Sequence, residues 1–197
     1  MGELKMQSVA STSFIKDNVV NQLSETDKRW FAVYTKFKCE KYVSDAFCKK
    51  HIDCYVPLVT RVKRYERKIK RYEVPLINCY VFVCITKNEY LSVLETEYVM
   101  KFLRQGKDLL SIPEHEIEIL RRVVGDVESA EVVDCLHLSN GEEVEVISGH
   151  LTGLQGKIVS KVGKKSFMVE LNTLGYQLMI NIDFKLLKPV KNRATFG

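Results

Sequence analysis

At 197 residues, 22.7 kDa and a net charge of +5, the chain is long enough for one large domain or two small ones. Its 46% apolar and 28% charged residues are typical of a globular protein in water, and no stretch approaches the roughly 18 apolar residues of a membrane-spanning helix. The N-terminus lacks the apolar segment of a secretory signal, so we expect a cytoplasmic protein without a membrane anchor.

No metal site or catalytic motif is recognisable in the sequence. The six cysteines include no Cys-x-x-Cys pair, and Cys48 with His51 supplies at most half of a zinc site. None of the four histidines stands in a nucleophile, phosphate-loop or metal motif, and HEIE at 115–118 lacks the second histidine of a zinc protease. We expect reduced thiols, no metal, no cofactor and no enzymatic activity.

The chain begins with a polar segment, residues 1–28, which has no sustained periodicity and which we interpret as a mobile arm. The sequence RWFAVYTKF then mixes aromatic and β-branched residues, which predicts a buried strand over 29–36. Apolar residues at helical spacing follow and predict a helix from Glu40 to His51. Extended structure resumes in CYVPLV, because the residue before Pro57 is disfavoured in the helical conformation.

The segment RVKRYERKIKR, residues 61–71, holds seven Lys or Arg and one Glu, so the positive excess of the whole chain is concentrated there. The residue pattern of this segment does not decide between a helix and a hairpin. Four apolar residues have the spacing of an amphipathic helix: Val62, Tyr65, Ile69 and Tyr72. A long hairpin, with strands near 57–65 and 69–75, fits the strand-like flanks and the absence of helix caps, although its tip lacks Gly or Asn.

Three further elements complete the first part of the chain. NCYVFVCIT, residues 78–86, is a short apolar run that predicts a central strand, and VMKFLR predicts another over 99–104. Between them we expect Asn88 to cap a helix that directs four residues inward: Tyr90, Leu91, Val93 and Leu94. SIPE, residues 111–114, has the spacing of a capping box and predicts a helix to Val124 that buries Ile117, Leu120 and Val124. The order β-α-β-β-β-α-β-α indicates an α+β domain over 29–124.

The character of the sequence changes after this domain. Residues 125–139 carry net negative charge without a strong period, and we interpret them as a linker. From 140 to 190, four short segments alternate apolar with polar residues between glycine-containing turns, which predicts a sheet that curls into a small barrel to hide its edges. We interpret residues 191–197 as a C-terminal tail.

Two stretches resemble known families. GEEVEVISGHLTGLQGKIVSKVGKKSFMVEL, residues 141–171, is similar to a KOW motif, with Gly149, Gly153 and Gly156 in the loop between two strands. RWFAVYTK, followed by helix, hairpin and VPLINCYVFV, resembles the N-terminal domain of the NusG family of transcription elongation factors. Residues 57–82 match, without gaps, the length of the long hairpin in the specialised RfaH/UpxY-like antitermination branch, and in this respect the chain resembles that branch.

The resemblance implies a NusG-like α/β sandwich joined to a small SH3-like KOW barrel, and it favours the hairpin over the helix. It also implies a factor that binds RNA polymerase at the clamp helices of the largest catalytic subunit. Such a factor suppresses pausing or termination, and members of the specialised branch serve one operon, such as one for surface polysaccharide synthesis. The KOW domain would recruit a ribosomal protein or the termination factor Rho, and we expect a monomer.

The polymerase-binding residues implied by the resemblance are Tyr34, Tyr80 and Phe82. Since Tyr80 and Phe82 alternate with Val81 and Val83, one of the two faces of their strand must be core. We expect the aromatic face to be exposed, because aromatic side chains are enriched at protein interfaces.

Ten basic residues are the candidate contacts to the nucleic acid of the elongation complex. The hairpin cations would neutralise phosphates while Tyr65 and Tyr72 stack on unpaired bases; a solvated sheet edge is the simpler alternative for such a charge run. The resemblance adds lysines after the first strand, whereas Glu97 stands where the specialised branch has a basic residue. The ten candidates are Lys36, Lys38, Lys41, Arg61, Lys63, Arg64, Arg67, Lys68, Lys70 and Arg71.

A second function is consistent with the sequence. KOW domains also occur in ribosomal proteins, so a ribosome-associated or free RNA-binding protein is the alternative to a polymerase-binding factor. Such a protein would bind RNA in a salt-sensitive way without polymerase, because its affinity would come from the cationic segment.

Overall fold

Most of the secondary-structure elements are strands. The structure is a computed structural model that describes residues 21–106, 108–126, 130–134, 141–161 and 164–190. The elements of the first part are β1 (Arg29–Thr35), α1 (Glu40–Lys49), β2 (Asp53–Tyr55), β3 (Leu58–Tyr65), β4 (Lys68–Pro75), β5 (Tyr80–Ile85), α2 (Tyr90–Leu94), β6 (Val99–Phe102), β7 (Arg104–Gln105), β8 (Asp108–Leu109) and α3 (Glu114–Asp126). Those of the second part are β9 (Ala130–Asp134), β10 (Glu143–Val146), β11 (Gln155–Lys161), β12 (Lys164–Leu171), β13 (Tyr176–Ile180) and β14 (Leu187–Pro189). The expected mixture of helices and sheets is thus confirmed.

Four strands form an antiparallel sheet in the order β2-β5-β1-β6, so the predicted central strands β1 and β5 lie side by side. Alternation along β5 divides its side chains between the two faces of the sheet. Val81, Val83 and Ile85 pack with Val43 and Phe47 of α1, while Tyr80 and Phe82 join a second cluster with residues of α3. The sheet is therefore covered on both faces.

The first helix ends close to the predicted position. Its buried residues include Val43 and Phe47, which lie on one face at helical spacing. After Lys49 the chain turns back onto the sheet through His51, which has a φ of 57°, and the amide of Ile52 donates to the carbonyl of Phe47 at 3.0 Å. This left-handed residue closes the helix in the way that glycine commonly does.

The capping predicted at two helices is wrong. Before α2, Thr86 rather than Asn88 forms a capping box, with Glu89, at the start of a short 3₁₀ turn. Leu91 and Leu94 are exposed, and Val93 is the residue that is buried. A five-residue helix presents too narrow a face to bury all four of the predicted side chains.

The side chains of the S-x-x-E sequence at the start of α3 likewise form hydrogen bonds outside the predicted capping box. The hydroxyl of Ser111 donates to the side chain of Gln22, and the carboxylate of Glu114 accepts from the indole of Trp30 at 2.6 Å. Both groups bind residues distant in the chain, so tertiary contacts replace the local box. Of the three predicted inward residues, Ile117 and Leu120 are fully buried, whereas Val124 is partly buried and its neighbour Val123 is fully buried instead.

Part of the predicted N-terminal arm is bound to the domain. The amide of Gln22 donates to the carbonyl of Leu109 at 3.1 Å, and the amide of Lys87 donates to the carbonyl of Ser24 at 2.8 Å. The prediction of a mobile arm is therefore wrong for residues 21–28, whose backbone is hydrogen-bonded to strand β8 and to the 3₁₀ turn before α2. Residues 1–20 of the predicted arm lie outside the described residues, as does the predicted tail.

The second part of the chain forms a six-stranded antiparallel sheet in the order β14-β10-β11-β12-β13-β9. The four strands predicted between 140 and 190 are all present, and β14 is added at one edge. The other edge strand, β9, lies inside the predicted linker and pairs with β13, from Ala130 opposite Ile180 to Asp134 opposite Tyr176. The interpretation of this stretch as a linker is wrong for 130–134, while 127–129 and 135–139 lie outside the described residues.

One glycine of the predicted KOW motif is required by close packing. A Cβ at Gly156 would collide with the carbonyl of Met168 and the ring of Phe167 on the neighbouring strand. In the loop before it, Gly149 and Gly153 have φ values of 85° and 80°, which other residues rarely adopt. The three glycines are thus needed where the chain returns from β10 to β11.

Candidate functional site

The basic segment is a hairpin, as the resemblance implied. Strands β3 and β4 pair in register from Leu58 opposite Pro75 to Tyr65 opposite Lys68, which leaves Glu66 and Arg67 as a two-residue tip. Neither tip residue has a positive φ, so this turn does not need the Gly or Asn that the sequence lacks. Pro57 and Val59 are buried at the base, whereas residues 62–73 are all exposed. The hairpin therefore projects its charge into solvent.

The register divides the hairpin into two faces, because cross-strand partners share a face and successive residues alternate. We call one the tyrosine face; it comprises Arg61, Lys63, Tyr65, Lys68, Lys70 and Tyr72. The other, the aliphatic face, comprises Val62, Arg64, Ile69 and Arg71. Arg67 lies at the tip.

Contacts within the tyrosine face agree with this division. The ammonium groups of Lys63 and Lys68 lie 5.2 Å and 5.9 Å from the centroid of the Tyr65 ring. Tyr65 and Tyr72 are 47% and 40% exposed, so both rings are accessible between cations. A flat ring flanked by ammonium groups can stack on a base while the cations bind the adjoining phosphates.

The aromatic face of β5 is not exposed. Tyr80 is 8% exposed and Phe82 fully buried, so the prediction that these rings face solvent is wrong for this conformation. Phe82 stacks on Tyr55 at 6.4 Å between ring centroids, and Tyr80 lies edge to face against Tyr34 at 5.5 Å and against Tyr176 of β13 at 6.2 Å. Burial, together with the neighbouring Tyr176, raises the pKa of Tyr80. Tyr34 is half-buried at the margin.

Two residues of α3 form hydrogen bonds to loops of the six-stranded sheet. Arg122 donates to the carbonyl oxygens of His150 and Thr152, at 2.9 Å and 2.6 Å from its Nη2 atom. The buried carboxylate of Glu116 accepts from the amide of Thr173 at 3.0 Å. A continuous apolar cluster contains residues of both sheets, among them Phe82 and Leu178. The second sheet thus covers the face that the sequence assigned to a partner.

Comparison with known proteins identifies the first part of the chain. Residues 28–121 match the protein family described as "Transcription termination factor nusG". These residues form a NusG-family domain. Among curated proteins, none matches the chain significantly.

Two solved structures align with both parts of the chain. NusG from Thermotoga maritima, in a structure of its domain interaction, has a TM-score of 0.50 at 20% identity, over 85% of this chain and 100% of that one. The MjSpt4:Spt5 complex in conformation A has a TM-score of 0.29 at 19% identity, over 82% of this chain and 97% of that one. The first of these supports a common fold.

The lysines after β1 of the NusG-family domain occupy different surroundings. Lys36 lies 5.9 Å from the ring centroid of Tyr98, and Lys38 lies 5.1 Å from that of Phe37. Lys41 instead forms an ion pair with Glu73, at 2.9 Å, which links α1 to the base of the hairpin. Lys36 and Lys38 lie beside aromatic rings and could bind an external anion, whereas Lys41 already has an acidic partner in Glu73.

Aromatic residues beside these lysines were missed by the sequence analysis. Phe37 and Tyr42 are 61% and 51% exposed, and the Tyr42 ring lies edge to face against Tyr98. The hydroxyl of Tyr42 donates to Glu97 at 2.9 Å, a hydrogen bond that raises the pKa of Tyr42. The interleaved lysines and aromatics of KFKCEKY, residues 36–42, were the available signal. Glu97 therefore places an acid beside this aromatic patch.

Other kinds of site have requirements with which the described residues can be compared. Within the described ranges, no three His, Cys, Asp or Glu side chains lie close enough together to hold a metal ion. None of the described helices is both long and apolar enough to span a bilayer. The five described cysteines are free thiols. The basic hairpin and the covered aromatic face remain the two candidate sites.

Proposed function

We propose that the protein is a transcription elongation or antitermination factor that binds RNA polymerase at its clamp and suppresses pausing or termination. The observation that carries this proposal is a basic, tyrosine-bearing hairpin projecting from a NusG-family domain. The factor acts as a monomer in the cytoplasm without cofactor or catalytic chemistry. The long hairpin, similar in length to that of the RfaH/UpxY-like branch, favours service to one operon, such as one for surface polysaccharide synthesis.

In this proposal the hairpin binds nucleic acid of the elongation complex through its tyrosine face. Four cations on that face lie next to two accessible rings, which suits an unpaired strand better than a duplex, whose bases are already stacked. Arg64 and Arg71 on the aliphatic face and Arg67 at the tip add sequence-independent attraction to phosphates. Lys36 and Lys38 extend the cationic surface, and Lys41 contributes by holding the hairpin base.

The clamp helices bind at Tyr34, Tyr80 and Phe82 in this proposal. Tyr80 contacts Tyr176 of the six-stranded sheet, and Phe82 is buried in an apolar cluster that contains residues of α3 and of that sheet. In this proposal polymerase binding therefore requires that the sheet move away. The contacts to be broken are the ring pair Tyr80–Tyr176 and the hydrogen bonds of Glu116 and Arg122. The released sheet is the proposed KOW domain, whose partner is a ribosomal protein or Rho.

The test is a pause assay with purified RNA polymerase and a pair of matched hairpin variants. Tyr65→Ala removes a ring from the tyrosine face, and Ile69→Ala removes a side chain of 64% exposure from the aliphatic face. We expect the wild type and Ile69→Ala to shorten pauses and to bind polymerase in a pull-down. Tyr65→Ala should lose about 1–3 kcal/mol of binding to an unpaired strand. Absence of polymerase from the pull-down would refute the proposal.

A free or ribosome-associated RNA-binding protein is the second candidate. It is favoured by one observation: the aromatic face is covered while the hairpin is exposed, so the described conformation presents a nucleic-acid surface and not the polymerase surface. RNA binding of equal affinity with and without polymerase, together with failure to affect pausing, would select this candidate.

A further inference from the structure

Two thiols outside the candidate sites lie close together at the edge of the four-stranded sheet. Cys48 is in the last turn of α1 and Cys54 is the middle residue of the edge strand β2. Their sulfur atoms are 4.0 Å apart. A disulfide needs a separation of about 2 Å between the sulfurs, and a side-chain rotation of the exposed Cys48 can supply much of that change.

The backbone between the two cysteines keeps them opposite each other. The amides of His51 and Ile52 donate to the carbonyls of Cys48 and Phe47, each at 3.0 Å, so the turn is tied to the end of the helix. Cys54 is in turn paired with Val83 of β5. Both cysteines are therefore carried by hydrogen-bonded backbone, which keeps their backbone positions close while the Cys48 side chain rotates.

The position of Ser44 shows which face of the helix Cys54 contacts. Ser44 precedes Cys48 by one helical turn and so lies on the same face of α1. Its hydroxyl is 3.4 Å from the sulfur of Cys54, and that thiol also donates to the carbonyl of Ser44 at 3.6 Å. The half-buried Cys54 thus lies under the α1 face that carries Cys48.

We propose that Cys48 and Cys54 are a modification site, at which a peroxide oxidises the two thiols to an intramolecular disulfide. The exposed Cys48 reacts first: its sulfur attacks one oxygen of the peroxide, the O–O bond breaks, and the thiol proton passes to the departing hydroxide, so that Cys48 becomes a sulfenic acid and one water leaves. The sulfur of Cys54 then displaces the hydroxyl group from Cys48, and the proton of Cys54 leaves with it as a second water. One peroxide is reduced by two electrons, and one S–S bond is formed.

The environment of the two thiols assigns these roles. Burial raises the pKa of Cys54 to about 11, so this group is a neutral thiol at physiological pH and a poor first nucleophile. Cys48 is exposed to solvent and accessible to peroxide. A disulfide in a cytosolic protein is usually a transient product of oxidation, which agrees with reduced thiols at rest.

Tryptic mapping of the full-length protein tests the proposal directly. Cleavage after Lys49 and Lys50 places the two cysteines in separate peptides, YVSDAFCK (42–49) and HIDCYVPLVTR (51–61). After treatment with hydrogen peroxide and alkylation of remaining thiols, we expect these peptides to appear as one linked species that dithiothreitol separates. The intact protein should lose the mass of two hydrogen atoms, and its midpoint of thermal unfolding should rise.

Matched variants identify the pair. Cys48→Ser and Cys54→Ser should each abolish the linked species, whereas Cys84→Ser, at a half-buried cysteine of β5, should retain it. The proposal is overturned if peroxide yields sulfinic acid at Cys48 without the linked peptides. It is also overturned if the peptides are joined mainly to other cysteines or to a second chain.

Discussion

The ring of Tyr80 lies edge to face against the ring of Tyr176, with centroids 6.2 Å apart, and this contact joins the sheet of the NusG-family domain to the six-stranded sheet. Tyr80 is a residue of the proposed polymerase-binding surface, so the same ring cannot contact both Tyr176 and the clamp helices. The second part of the chain therefore competes with the proposed partner for one surface.

Removing the ring of Tyr176 should favour polymerase binding. Tyr176→Ala removes an aromatic pair worth about 0.5–1.5 kcal/mol, which corresponds to a rise in affinity of up to about tenfold if the sheet must be displaced. Binding to immobilised RNA polymerase measures the change. Tyr176→Phe keeps the ring and loses only the hydroxyl that interacts with Tyr80, so it should raise the affinity less than Tyr176→Ala. Equal affinity of all three proteins would argue against the competition.

Phe82→Ala should destabilise the domain. Phe82 is fully buried between Tyr55 and the apolar cluster, so its truncation leaves a cavity and should cost about 3–5 kcal/mol in the free energy of unfolding. Val62→Ala, at a side chain with 52% exposure on the hairpin, should change it by less than about 0.5 kcal/mol. Urea unfolding followed by tryptophan fluorescence compares them. An unchanged midpoint for Phe82→Ala would instead indicate an exposed ring.

Tyr55→Phe should increase stability at neutral pH. The hydroxyl of Tyr55 is buried without a hydrogen-bond partner in the described structure, so its removal relieves a desolvation cost of about 1 kcal/mol. Tyr65→Phe, at an exposed ring, is the matched control. A loss of stability at pH 7 in Tyr55→Phe would show that the hydroxyl does find a partner.

The same residue predicts a loss of stability at alkaline pH. Burial raises the pKa of Tyr55 to about 12 in the folded protein, whereas a tyrosine in the unfolded chain ionises near pH ~10. The unfolded state therefore releases its proton first, and the free energy of unfolding falls as the pH rises from about 10 towards 12. Urea titrations across this range should show a shallower fall for Tyr55→Phe than for the wild type.

The salt dependence of nucleic-acid binding should depend on which face of the hairpin is neutralised. Lys63 and Lys70 are cross-strand partners on the tyrosine face, and replacing both with Gln should reduce the slope of log affinity against log salt by about 1.4 for a single strand. The matched double variant of Arg64 and Arg71, on the aliphatic face, should reduce it less. Equal reductions would mean that the hairpin acts only as a diffuse charge.

The local patterns predicted most of the elements because each reflects interactions between neighbours in the chain. Alternating β-branched and aromatic residues predicted β1 and β5, and the spacing of Val43 and Phe47 predicted α1. The hairpin needed the family resemblance, since Val62, Tyr65, Ile69 and Tyr72 fit a helix equally well. The capping box predicted at Ser111 and Glu114 did not form, because these side chains form hydrogen bonds with Gln22 and Trp30, which are distant in the chain.

The sequence by itself determined where positive charge accumulates and that β5 has one aromatic and one aliphatic face. Only the tertiary structure decided what covers the aromatic face. Alternation along a strand shows which side chains share a face, but it does not show which other elements pack against that face. The contact of Tyr80 with Tyr176 joins residues almost a hundred positions apart, and the approach of Cys48 to Cys54 depends on how a turn packs a helix onto a sheet edge. Such distances arise from the packing of whole elements, which no local pattern encodes.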